Sequence, residues 1–264
     1  MSLLLALLYA LDISRALKGN NNSLALNDSQ NQLGHILPIL DDSSFLSAIH
    51  REISPSNGRK WHHDGIHALV RFTWAMTLAN MRSQPPSASN FNVEKHQSVI
   101  DDDENVFETS LDMGVFHWIS KCILVNQTVL KQEEFYVRRL HQILTDLIVF
   151  MPLKVKDLRN RADDAARNKM MHENEGIQYS VPLSGQHFEY FLHCITQLYS
   201  STNDSNSNLI LDYWCPIDGG SGSIERYPSR QISLHKFVRL AGDLLVPALY
   251  PAYVEMLTSI SNHP

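Results

Sequence analysis

Pro152 constrains this chain more than any other residue, because it separates two helical patterns of different character. Before it, Tyr136, Leu140, Ile143, Leu144, Leu147, Phe150 and Met151 recur along one face of a 3.6-residue helix. The proline lacks a backbone N–H and disfavours helical geometry for Met151, so the first helix must end there. Its fixed φ also suits the first position of a second helix. On that second helix Val155, Leu158, Ala162 and Ala165 form a narrow stripe, and nearly everything else is charged. Arg159–Asp163, Asp157–Arg161 and Asp163–Arg167 are spaced as i,i+4 ion pairs on the exposed side. Helix, sharp break, helix is the building unit of an α-solenoid, in which apolar faces are covered by neighbouring helices.

The same reading extends along the chain. A short apolar helix is expected over Leu3–Leu11, and Asp41, Asp42, Ser43 and Ser44 offer N-caps for a helix with Phe45, Leu46, Ile49 and Ile53 inward. From Asp64 to Met81 the pattern is apolar almost all round, which predicts neighbours on more than one side. Asp101–Glu104 places four carboxylates at the start of a helix that presents Phe107, Leu111, Val115, Trp118 and Cys122. Phe188, Phe191, Leu192, Ile195, Leu198 and Tyr199 give a clean amphipathic stripe. Two further helices are expected over Ser233–Leu245 and Ala248–Ile260. No segment alternates with strand period between hairpin turns, and no fixed-period repeat is visible. The expected fold is therefore all-α, an irregular α-helical solenoid of HEAT- or armadillo-like antiparallel helix pairs. Residues 1–264 are expected to form one continuous array, with flexible polar inserts at about 19–32, 83–99, 200–208 and 218–228.

Composition narrows the function classes. A net charge of -6 gives no general attraction to nucleic acid or anionic membrane. Cys122, Cys194 and Cys215 are far apart without C-x-x-C spacing, which argues against a zinc ribbon or a disulfide framework. Leu3–Leu11 lacks the basic start and cleavage site of a signal peptide and is too short to span a bilayer. The N-x-S/T triplets at Asn21, Asn27, Asn126 and Asn203 then read as polar loop composition.

Candidates for chemistry each fail on spacing. His63 and His67 in WHHDGIH could share a helix face, but no glutamate stands between them and no third ligand is near. The acidic run Asp101, Asp102, Asp103, Glu104 has Val106 where a calcium loop needs glycine. Gly219, Gly220 and Gly222 are followed by no Lys-Ser/Thr pair, and Ser221 is not in G-x-S-x-G. Lys131–Lys169 holds nine basic against six acidic residues, and Arg138, Arg139, Lys154, Lys156, Arg159 and Arg161 could form a patch. Charge-paired helix faces explain them without direct nucleic-acid contact. No catalytic, cofactor-binding or metal-ligating residue is assigned, no cofactor or small-molecule substrate is expected, and the chain is not expected to be an enzyme. Aromatic residues such as Trp61, Trp74, Trp118 and Trp214 are the better guide to partners, since a solenoid can leave apolar stripes open as grooves.

Together, EEFYVRRLHQILTDLIVFMPLKVKDLRNRADDAAR, LLLALLYALDIS, LDYWCP and LHKFVRLAGDLLVPALYPAY resemble the large inner-ring scaffold nucleoporin of the nuclear pore complex. The likeness is to the animal member, in the N-terminal half of its helical solenoid, and runs from near residue 3 to near residue 260. Gly19–Gln32, Ser83–Val99 and Asp218–Pro228 do not match. Members of that family are several times longer, so the resemblance implies a fragment or a truncated product. It further implies a structural role at the nuclear envelope, with linker nucleoporins and neighbouring inner-ring scaffold subunits as partners. The runner-up expectation is a helical-repeat transport adaptor that carries cargo or binds a small GTPase. Such receptors are generally more acidic and more regular than this chain.

Overall fold

Asp42 shows how local chemistry starts the helices: its carboxylate accepts from the backbone N–H groups of Ser44 (2.8 Å) and Phe45 (3.2 Å) and so caps the helix that follows. The computed structural model describes residues 2–14, 38–55, 61–84, 93–125, 134–200, 207–214 and 229–261, and every regular element among them is helical. The all-α expectation therefore holds. The inserts at 19–32 and 218–228, Gly219–Gly222, Cys215 and the four N-x-S/T asparagines lie outside the described residues. The chain divides into two compact units, Met1–Met113 and Gly114–Pro264.

In the first unit, α1 is Ser2–Ala10, α2 Ser43–Ile53, α3 Asp64–Arg82, α4 Val93–Ile100 and α5 Asp103–Asp112. Every residue of α3 from His67 to Met81 is buried, as its all-round apolar pattern requires. The helices α1, α2, α4 and α5 all pack on it. Beyond the end of α1, Leu11 accepts from Thr77 Oγ1 (2.8 Å) and Ser14 Oγ from Asn80 Nδ2 (3.3 Å). Antiparallel to α3, α2 brings His50 Nδ1 to Trp74 Nε1 (3.2 Å) and Ile53 O to Arg71 Nε (2.9 Å). On another side α5 packs Phe107 against Phe72, and Arg82 pairs with Asp103 at 2.9 Å.

Three details differ from the sequence reading. Asp103 is fully buried, and burial raises its carboxyl above the usual range despite the nearby Arg82, so one of the four acidic residues is an internal anchor. Phe45 is 43% exposed, leaving Leu46 and Ile53 as the buried face of α2. The helix α4 also occupies part of the stretch read as a linker, held by buried His96, Val99 and Ile100.

The second unit opens at Gly114, whose φ of 73° is a left-handed conformation that suits glycine. This glycine ends the helix expected to run on to Cys122. A new helical turn, Val115–Trp118, passes into a π-helical turn, Ile119–Ile123, and the altered winding leaves Cys122 exposed. Then come α6 (Glu134–Phe150), α7 (Pro152–Asn174), α8 (Leu183–Ser200), α9 (Ser229–Gly242) and α10 (Tyr250–Ser261). Pro152 is the first residue of α7, and Val155, Leu158, Ala162 and Ala165 are its buried apolar stripe, as expected.

No residue of α8 from Gly185 to Tyr199 is exposed. Phe191 meets Phe116 at 5.2 Å and Phe237 of α9 at 5.8 Å between ring centroids. Ser120 donates to Gln197 at 2.8 Å, and buried Cys194 donates to the carbonyl of Phe116. The antiparallel α7–α8 pair is close enough that a Cβ on Gly185 would stand 2.4 Å from that of Ala165.

Leu144→Asp, at a position 1% exposed, puts an unpaired carboxylate in the core and is expected to cost about 3 kcal/mol or more in denaturant melts. Leu153→Asp, at a position 79% exposed, should melt like the parent. Gly185→Ala should destabilise by about 1–3 kcal/mol through overpacking. Adding Ala165→Gly should recover much of that loss, a coupling measurable in a double-mutant cycle. Burial holds the imidazoles of His50 and His67 below their ordinary pKa. Their unfolded forms therefore take up protons first, so this stability is present above pH of about 6.5 and is lost as pH falls below it. Thermal melts of His67→Phe should show a shallower loss between neutral and mildly acidic pH than the parent.

Candidate binding groove

Arg159 sits on the mostly charged side of α7, but its hydrogen-bond partners are at the C-terminal end of α9. Its guanidinium donates to the carbonyl of Leu240 (2.6 Å) and to that of Asp243, capping the C-terminal end of α9. Asp163, one turn along, lies 3.9 Å from Arg159 Nε. This pins α7 beside α9 and fixes the walls of a groove of about 580 Å³. The floor is apolar, with Ile148, Val155, Phe188, Phe237 and Ala241. Leu153 and Lys156 rise from α7, and Lys236 and Leu240 from α9. Pro152 places Leu153 and Lys156 in the first turns of α7, so the same residue that breaks the chain also shapes the groove.

A buried polar chain braces the unit nearby. His141 of α6 lies 2.8 Å from the Tyr199 hydroxyl and 3.2 Å from Asp212, and Tyr199 donates to Tyr213 at 3.2 Å. Burial raises both phenols well above their usual range, so they stay neutral donors and acceptors. Arg230 of α9 pairs with buried Asp146 at 2.6 Å and reaches Thr145 and the carbonyl of Gln142. These bonds join α6, α8, α9 and the turn Leu211–Tyr213.

The candidate basic patch is dispersed. Arg138 pairs with Glu134 and Arg161 with Asp157, Arg139 is buried, and Arg159 is a helix cap. The WHHDGIH histidines also separate: His63 precedes α3 as its exposed cap residue, whereas His67 is buried under Trp61 (4.7 Å between stacked rings) with Nε2 2.8 Å from Ile53 O. Among the described residues, no three His, Cys, Asp or Glu side chains converge as a metal site would need. In the first unit a polar pocket of about 550 Å³ includes Arg71, Asp102 and His50, with His50 Nε2 3.3 Å from Asp102. Sequence reasoning assigned no site residues and missed the groove, because its two walls are about 85 residues apart in the chain. The exposed leucines Leu153 and Leu240, each one turn from a lysine, were its only local sign. No described helix is long and apolar enough to cross a membrane.

Comparison with known proteins covers the whole chain. A family model described as nuclear pore complex scaffold, nucleoporins 186/192/205, matches residues 1–264. Human nuclear pore complex protein Nup205 is 33% identical over 275 residues, taking in 100% of this chain and 13% of its own length. Nup205 of Drosophila melanogaster is 29% identical over 260 residues, 98% of this chain and 12% of its own length. The chain thus spans only a small part of the curated relatives it matches.

Proposed function

We propose, since the chain belongs to the nuclear pore complex scaffold family of nucleoporins 186, 192 and 205, that it is a structural segment of that scaffold and acts by binding other nucleoporins. The observation that carries this reading is the family match along all 264 residues. The physical character of the surface agrees with it. An apolar groove edged by charge suits a short protein segment, and weak contacts of this kind add up when many are linked. The buried His141, Tyr199 and Tyr213 are engaged in bracing helices, which is a structural use of groups that elsewhere do chemistry.

Linker nucleoporins and adjacent inner-ring scaffold subunits are the proposed partners, at the nuclear envelope, in support of pore assembly and nucleocytoplasmic transport. The expectation that residues 1–264 form one stretch of a continuous helical array belongs to the same proposal. The test is to express the fluorescently tagged chain in cultured animal cells and follow recovery after photobleaching. A punctate nuclear rim with slow exchange is expected. Diffuse signal with rapid exchange contradicts the scaffold role and favours a shuttling adaptor.

A further inference from the structure

We infer that the groove between α7 and α9 is a docking site for a short amphipathic helix whose apolar face is bordered by carboxylates. This deepens the scaffold reading, on which it rests, by specifying the partner's chemistry.

The two walls carry the same pair of residues. On α7, exposed Leu153 and Lys156 are one turn apart; on α9, exposed Lys236 and Leu240 are one turn apart. Leu153 is 79% and Leu240 59% exposed, large apolar side chains that stand over a floor of buried Val155, Phe188 and Phe237. A space of about 580 Å³ accepts a few large side chains, which a helix delivers on one face at i and i+3 or i+4.

Charge then selects the occupant. Lys156 and Lys236 make no ion pair among the described residues, while Arg159 is committed to the carbonyls of Leu240 and Asp243. Asp243 is the one carboxylate among the lining residues. The chain as a whole is acidic, at -6, so two unpaired lysines facing each other across an apolar floor reverse the prevailing sign locally. Carboxylates beside the partner's apolar face would meet them, and basic segments would be repelled. The walls are already set by the Arg159 cap, so the site needs little rearrangement to receive its occupant.

The test uses a phage-displayed library of random peptides about four helical turns long. It is selected on the whole chain and counter-selected on a Leu153→Asp, Lys156→Glu, Lys236→Glu variant. All three positions are exposed, and circular dichroism checks that the variant remains folded. The tightest selected peptide is then titrated by fluorescence anisotropy at low and at physiological salt. Expected are peptides with Leu, Phe or Met at i and i+3 or i+4, flanked by Asp or Glu. Their affinity should fall roughly tenfold or more with either Leu153→Asp or Lys156→Glu/Lys236→Glu, and should weaken as salt rises. Equal affinity for parent and variants, a basic consensus, or no peptide that distinguishes them overturns the assignment. These failures leave localisation at the nuclear rim untouched. Diffuse localisation with intact peptide binding overturns the pore reading alone.

Discussion

A helix buried along most of its surface has to be enclosed before it is worth forming, and each unit of this chain is organised around one. In the first unit it is α3, buried at every position from His67 to Met81. In the second it is α8, with no exposed residue from Gly185 to Tyr199. Short helices gain little from backbone hydrogen bonding alone, so their stability comes from the faces they bury. The neighbours of α3 and α8 therefore fold because these central helices give their apolar stripes somewhere to go, and the dependence runs equally in the other direction.

Polar groups then set the register of the enclosing helices. Ile53 O receives Arg71 and His67 where α2 meets α3, while Arg82 and Asp103 tie the far end of α3 to α5. In the second unit Arg230 joins α9 to α6, and Arg159 joins α7 to α9. Buried His67, Arg71, Asp103 and Asp146 are tolerated because each finds a specific partner, and removing that partner would leave the other without its bond in a poor solvent. The groove is a by-product of the same arrangement. Arg159 holds two helices at their ends, and the space between them has apolar walls with lysines at the edge.

Much of this was legible in the sequence where a local pattern decides the outcome. Pro152 ended one helix and began the next, and the stripes of α6, α7 and α8 are buried almost residue for residue. Phe150, half-buried at the end of α6, is a small exception. What escaped depends on partners far along the chain. Arg159 read as an i,i+4 ion-pairing residue, and its capping role requires Leu240 to be placed beside it. Asp103 read as a helix-end charge until Arg82 came up against it. Gly114 is different, because the signal was local and was overlooked: a glycine in the middle of an apolar periodicity can carry a left-handed break, and here it does.

The groove and the enclosed helices accord with the proposed role of a segment held by other proteins. Its firmness rests on the buried face of α8, from Phe188 to Tyr199, being reachable by water only when the second unit comes apart. Native-state hydrogen exchange measures that directly. The amides of α8 between Phe191 and Tyr199 should be among the slowest of the second unit and share one opening free energy with the buried part of α6. If they exchange as fast as the exposed last turns of α7, α8 is not the enclosed centre of this unit and the account fails.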